Sequence, residues 1–345
     1  MKVNCTILSS ACTSGKLEIV NLILSHSALD INSVYTALVF WIENSTLISF
    51  SIDMVKILLS RIPDINRILK DGKTLLNRAS FDGNLTAVKL FLESGADRNA
   101  IDSNGVDSLY CSSYLGHLEV AKILLEWDSP NHISRENITK AFGVACYHRH
   151  VEMVKYLIHQ GADVNALDDG KLVIDSAIRH NDVVLAELLI ANMLDLGAIY
   201  YGRNLLFFAS VFEHRAIPKL LLNRGADPNV HYPSGNTLLL ELVMATCDEH
   251  SNCTDVIELL FEYDIDVNLA HATTGETPLM IAAVYLRVDM VRLLLEHGAD
   301  VTQVDGHGDS VLDKLDTETP LSVEVLELCM QYIDSNRPRA QAVLK

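Results

Sequence analysis

Basic charge and aromatic carbon are what this chain has least of. Its 345 residues hold 27 lysines and arginines against 45 aspartates and glutamates, a formal charge of -18. That balance repels phosphate backbones and anionic lipid surfaces, so neither nucleic acid nor a membrane is expected as a partner. A protein partner bearing a basic patch fits the field better. Aromatics make up 6% of the residues, so the few that recur at a fixed spacing stand out.

Long apolar runs are also missing. The early stretch Ala37-Leu38-Val39-Phe40-Trp41-Ile42 stops at Glu43, far short of the roughly 20 residues that span a bilayer. No apolar signal segment follows Met1-Lys2-Val3-Asn4, which predicts a cytoplasmic or nuclear protein. The seven cysteines are scattered and odd in number, and several sit in apolar stretches such as Ala145-Cys146. They read as reduced thiols.

Catalytic signatures are absent too. There is no Gly-x-Ser-x-Gly, no phosphate-binding glycine loop and no His-Glu-x-x-His, so neither an enzyme nor a cofactor is expected. Cys247, His250 and Cys253 fall at three-residue intervals, but no second ligand pair follows at a zinc-site distance. They read as an ordinary polar loop, and no metal is expected.

What is present is repetition. Asn84-Leu85-Thr86-Ala87-Val88-Lys89-Leu90-Phe91-Leu92 returns 33 residues later as His117 to Leu125, and again as His150 to Ile158. The first residue of the closing apolar triplet recurs at Leu22, Ile57, Leu90, Ile123, Tyr156, Leu188, Leu220, Leu259 and Leu293. A period near 33 is the mark of a repeat array. Small residues (Ala11, Ala79, Ala145, Ala177, Ala209, Ala282) recur on the first helix of each unit, and glycines (Gly95, Gly161, Gly225, Gly298) follow the second. Alanine lets helices approach, and the glycines sit where a helix end needs a left-handed residue.

The most faithful unit reads Gly275-Glu276-Thr277-Pro278-Leu279-Met280-Ile281-Ala282-Ala283 and continues through Met290 to Gly298-Ala299-Asp300. On these residues the chain resembles the ankyrin repeat family over nearly its whole length. The resemblance implies an all-α repeat solenoid of helix-turn-helix units with β-hairpin fingers. The units run approximately 1–33, 34–68, 69–101, 102–133, 134–167, 168–199, 200–231, 232–270, 271–304 and 305–333, with a polar tail at 334–345. It implies one solenoid, monomeric, working as a protein-protein interaction scaffold or adaptor. Two narrower alternatives are a substrate adaptor of a ubiquitin ligase and a secreted effector of a parasite or intracellular bacterium. Asn165 and Asn268, each after Asp-Val, also resemble asparagines that a dioxygenase hydroxylates in some ankyrin proteins.

Departures from the pattern have structural consequences. The histidine that usually follows Thr-Pro-Leu is replaced by Asn77, Tyr110, Asp175, Phe207, Leu240 or Met280, which implies loss of the side-chain bond knitting finger to first helix. Insertions lie around Asn44 to Ser51 and around Cys247 to Asn252, and Ala191-Asn192-Met193-Leu194-Asp195 replaces the Gly-Ala-Asp phrase, so a bend or boundary is expected near there. At the N-terminus Leu17 and Ile19 lack a polar cap and are expected to be partly exposed.

Two features suggest where a partner binds. Phe81, Tyr114 and Tyr147 are 33 residues apart on successive first helices, and the resemblance places them toward the concave groove. They are expected to stack into a ladder that Arg179 continues, with Asp82, His148 and His180 in the adjacent row. The competing reading packs these rings between helices as core. Asp102, Asp168, His231 and Tyr232 are expected to form a polar rim on the fingers. The second feature is a stretch with ten acids and no lysine or arginine between Arg224 and Arg287, either a solvated face or a lure for a basic partner.

Overall fold

A computed structural model describes residues 7–25, 30–44, 51–128, 130–168, 171–193, 195–212, 214–245, 253–315 and 319–343. The chain divides into two compact units, Met1–Ser176 and Ala177–Lys345. Both insertions flagged in the sequence fall largely outside the described residues.

In the first unit the helices come in pairs: α1 (Ile7–Thr13) with α2 (Leu17–Ser25), α3 (Ile31–Asn44) with α4 (Ile52–Leu59), α5 (Leu75–Phe81) with α6 (Leu85–Glu93), α7 (Ser108–Tyr114) with α8 (Leu118–Glu126), and α9 (Arg135–Tyr147) with α10 (Val151–His159). First helices stack on first helices, α1 on α3, α3 on α5, α5 on α7 and α7 on α9. The alanines of the pattern make this possible: Ala79 and Ala145 have no accessible surface. Among the bulky triplets the middle residue is fully buried, as with Leu58, Phe91, Leu124 and Leu157. The triplet's first residue is half-buried at Ile57, Ile123 and Tyr156.

Two short strands, β1 (Leu167–Asp168) and β2 (Lys171–Leu172), pair antiparallel, and α11 (Asp175–Arg179) crosses the boundary between the units. The second unit holds α12 (Val183–Asn192), α13 (Leu205–Ser210), α14 (Ala216–Asn223), α15 (Leu238–Ala245), α16 (Thr254–Leu260), α17 (Pro278–Val284), α18 (Val288–Glu296) and α19 (Pro320–Val343). Within it α13 packs on α14, α15 on α17, and α18 on α19. The last helix continues past Asp334, where the sequence reading placed a tail. No helix among the described residues is long and apolar enough to cross a membrane.

Local chemistry explains where the helices start and stop. Thr74, Asp107, Ser134, Asn204 and Thr277 cap first helices by accepting a backbone N–H three residues on, which satisfies a donor the helix leaves open. Gly95, Gly161, Gly225 and Gly298 all take φ between 85° and 90°, the left-handed stop expected of them. The turn between paired helices also needs a positive φ. Gly116 supplies it at 73°, but Arg149 (61°), Asn181 (50°) and Leu286 (54°) adopt it without being glycine.

α8 has no Gly-Ala-Asp phrase after it, and a different device ends it. Arg98, 2% exposed, reaches across from the preceding repeat. Its Nη1 donates to the carbonyls of Leu124 (2.5 Å) and Trp127 (3.1 Å), while Nε and Nη2 donate to the Asn131 carbonyl (3.0 and 2.8 Å). The guanidinium thus closes the carbonyls that a helix C-terminus leaves without partners.

The expected β-hairpin fingers are mostly tight turns. Beyond β1 and β2, the described residues show isolated bridges at Tyr200 with Arg203, His231 with Thr237 and Val304 with Ser310. Adjacent turns in the same unit are tied tip to tip, Ser103 N–H to the Gly72 carbonyl (2.8 Å) and Ala272 N–H to the Gly235 carbonyl (2.8 Å). Asparagine side chains add a second row. Asn66, Asn229 and Asn268 each accept the backbone N–H of the next repeat's Asp97, Asp266 and Asp300, at 2.8, 2.8 and 2.7 Å. The amide of Asn268 also donates to the Gly298 carbonyl.

At one position where the histidine is missing a different side chain makes a bond: Asn77 donates from Nδ2 to the Val106 carbonyl at 2.9 Å, tying its first helix to the finger turn that opens the next repeat.

Candidate functional site

The aromatic row forms at the C-terminal ends of α5, α7 and α9, in the first unit. Phe81 stacks on Tyr114 with centroids 6.0 Å apart and planes 29° from parallel. The next step differs from a simple ladder: His148 packs against Tyr114 at 4.2 Å, and Tyr147 meets the edge of His148 at 5.1 Å. Tyr114 is 39% exposed and Tyr147 66%. Rings that exposed are not core, and burying them on a partner releases the water over them.

Two residues outside the row, each the first of a repeated phrase in the sequence, hold it in place. His117 Nε2 donates to the Phe81 carbonyl at 3.0 Å, and His150 Nε2 donates to the Tyr114 carbonyl at 3.1 Å. Each thereby anchors the helix end that carries an aromatic ring. Their rings lie so close to Gly83 and Gly116 that a Cβ there would stand 2.7 and 2.6 Å away. Lys73 adds a cation 3.8 Å above Phe81. The available signal was their spacing, since His117 and His150 recur 33 residues apart, in step with the aromatics.

Charges beside the row are perturbed by their surroundings. Burial raises the carboxyl of Asp82, opposed mainly by Arg78. Burial lowers the imidazole of His148, and the neighbouring His150 adds to the effect. Asp168 lies in β1, opposite Lys171. In the second unit Arg179 sits over the Phe212 ring at 5.5 Å, His180 is exposed, and exposed His231 donates from Nε2 to the Ala270 carbonyl.

Asp102 and Tyr232 are not rim residues. Asp102 is 4% exposed and its carboxylate accepts the N–H groups of Asn104 and Val106, closing the finger turn. Tyr232 is 3% exposed, its hydroxyl donates to Asn204 Oδ1 at 3.0 Å, and burial pushes its pKa far up. Both occupy the first position of a turn whose N–H bonds back across it, and that geometry aims their side chains inward.

Of the remaining candidates, Cys247 and His250 lie outside the described residues. Cys253 is buried at the start of α16. No group of three metal-ligating side chains occurs among the described residues. Burial pushes the Cys111 thiol up to about 12, which suits a packing residue rather than a nucleophile. The acidic run is partly neutralised from beyond its ends: Arg203 pairs with Glu241 (2.9 Å), Arg215 with Glu262 (2.9 Å), and Lys314 with Glu276 (3.5 Å).

The family model for ankyrin repeats matches residues 45–137, 76–168, 142–232 and 206–305. The chain belongs to the ankyrin repeat family. Among curated proteins it is similar to two ankyrin repeat proteins of fowlpox virus. FPV031 is 29% identical over 149 residues, 41% of this chain and 42% of the relative. FPV216 is 34% identical over 103 residues, 29% of this chain and 33% of the relative. An ankyrin repeat and KH domain-containing protein of Caenorhabditis briggsae is 29% identical over 116 residues, 33% of this chain and 4% of that protein. The chain thus spans less than half the length of the curated relatives it matches. Ankyrin repeats are protein-protein interaction modules, and the exposed rings lie on the repeats' first helices.

Proposed function

We propose that this ankyrin array is a protein-interaction scaffold or adaptor, and that its first-unit face built from α5, α7 and α9 holds the partner. The observation that carries the reading is the contiguous cluster of Phe81, Tyr114, His148 and Tyr147, with the two tyrosines 39% and 66% exposed. A folded chain gains little from leaving such rings in water, whereas interface centres are enriched in them. Asp82 flanks Phe81, and Lys73 covers it. His117 and His150 hold the helix ends that carry Phe81 and Tyr114, which lessens the order that binding has to impose there.

The test is affinity capture with the wild-type chain and with Tyr114→Ala/Tyr147→Ala, alongside thermal melts of both. We expect bound proteins to be lost from the double variant while its melting temperature stays within about 2 °C of wild type, because exposed side chains contribute little to stability. Equal capture by both proteins would remove this face as the binding site.

A further inference from the structure

On the first unit, beside the aromatic row, a cleft of about 220 Å³ opens between α3 and the turn that precedes α5. Three of its nine lining residues are basic, Arg67, Lys70 and Arg78, in a chain with only 27 basic residues among 345. Arg78 is held as a wall, ion-paired to Glu43 and to Asp71 (2.6 Å). Arg67 and Lys70 form no ion pair among the described residues. The carboxylates around the cleft have partners of their own: Asp71, which lines it, pairs with Arg78, Asp30 accepts from Asn32 N and Nδ2 at 3.0 and 2.9 Å, and Asp64 accepts the Asn66 N–H at 2.9 Å.

Arg67 is set in place before any ligand arrives. Its guanidinium lies 5.1 Å from the centroid of the Tyr35 ring, and Nη2 donates to Asn32 Oδ1 at 3.1 Å. A stacked guanidinium keeps its remaining donors in a fixed fork, which matches a carboxylate. Lys70, exposed on the same cleft, adds a mobile point charge. The volume is below the roughly 300 to 1,000 Å³ of small-molecule sites and suits a single side chain.

We propose that this cleft receives a glutamate or aspartate side chain from an acidic segment of a partner protein. The segment continues toward the aromatic row, past Lys73 over Phe81. The idea rests on the interaction role proposed above and gives that surface its chemistry. The acidic chain as a whole repels an acidic peptide, so binding of one reports a local cationic site rather than bulk attraction.

The experiment measures fluorescence anisotropy of a labelled octapeptide of alternating glutamate and serine, titrated with the full chain at low salt. Matched lysine-serine and phosphoserine-glycine peptides serve as comparisons. Lys70→Glu and Arg67→Gln are the variants, with thermal melts to confirm folding. Lys70→Glu is the safer of the two, because that side chain makes no hydrogen bond or ion pair among the described residues.

We expect saturable binding of the glutamate peptide, weakened about ten-fold or more by either variant and by added salt. No binding, equal binding of the lysine peptide, or affinity unchanged in both variants would overturn the proposal. Tighter binding of the phosphoserine peptide, lost in the same variants, would replace the carboxylate with a phosphorylated segment and overturn it too. Tyr114→Ala/Tyr147→Ala separates the two readings. Peptide binding retained while that variant still captures partners sinks the aromatic face and leaves the cleft standing. Partner capture sensitive to that variant, with no peptide binding to wild type, sinks the cleft alone.

Discussion

Replacing Arg98 with methionine keeps an unbranched stem out to about the position of Nε and removes all of the donors. Four hydrogen bonds to three carbonyls disappear. The Leu124 carbonyl accepts its bond in the buried interior, where an unsatisfied acceptor costs about 1–3 kcal/mol. The Trp127 and Asn131 carbonyls are only part-buried, so water can replace the guanidinium at a net loss of about 0.5–1.5 kcal/mol each. Relief from burying a cation, which already pulls the Arg98 pKa down, returns part of this. The expected net loss is about 2–4 kcal/mol. A repeat array need not unfold in one step, so urea melts should be paired with hydrogen exchange read over residues 118–131. Protection there should fall more than in α4 or α6. A loss below about 0.5 kcal/mol, with unchanged exchange at the end of α8, would refute the claim that Arg98 caps that helix.

Other substitutions test the rest of the framework. Leu286→Gly should stabilise the chain by about 0.5–1 kcal/mol in a denaturant melt, because Leu286 holds a φ of 54° that glycine adopts without strain. Gly116→Ala should cost more than Gly161→Ala. Both positions have positive φ, worth about 1 kcal/mol, but only at Gly116 would the Cβ meet a ring, that of His150 at 2.6 Å; equal losses would remove the histidine from the argument. Asp305 is held well below the usual carboxylate range by Lys314, whose Nζ lies 2.7 Å away, and by the amides of Asp309 and His307. Its folded pKa is therefore below its unfolded value of about 3.9, so it adds stability that is complete above that pH and lost as the pH falls below it. Lys314→Met should lower the melting temperature at pH 7 and shrink the drop on acidification.

Period and phrase made the helix pairs legible, because each repeat buries the same positions against its neighbours. Glycines at the helix stops follow from a local rule that needs no tertiary information, and the recurring alanines mark where one helix lies against the next. Side-chain destinations were harder to read. Asp102 and Tyr232 look like polar finger residues in a string of letters, yet the turn's backbone bonds direct them inward. Arg98 occupies the variable position of Gly-Ala-Asp-x-Asn, and its task appears only once the end of α8 is seen to lack that phrase. The same limit applies to the aromatic row. Its 33-residue spacing was visible, but the exchange of places between Tyr147 and His148 depends on the end of α9. The cleft at Arg67 and Lys70 was not visible at all, because it joins α3 to residues more than 30 positions later.

The bonds between neighbouring repeats set the terms on which such a chain can be edited. His117 and His150 reach back 36 residues, and Asn66 and Asn268 reach forward 31 and 32, so donor and acceptor stand about one repeat apart. Excising residues 117–149 would bring His150 to the Phe81 carbonyl in place of His117, and the seam would close with like chemistry. Excising half that length would strand a ring on one side and a carbonyl on the other. Asn229 reaches 37 residues to Asp266, a span containing the Cys247 to Asn252 insertion, and the bond still forms. Extra length is tolerated between paired helices, while the count of repeats changes only in whole numbers.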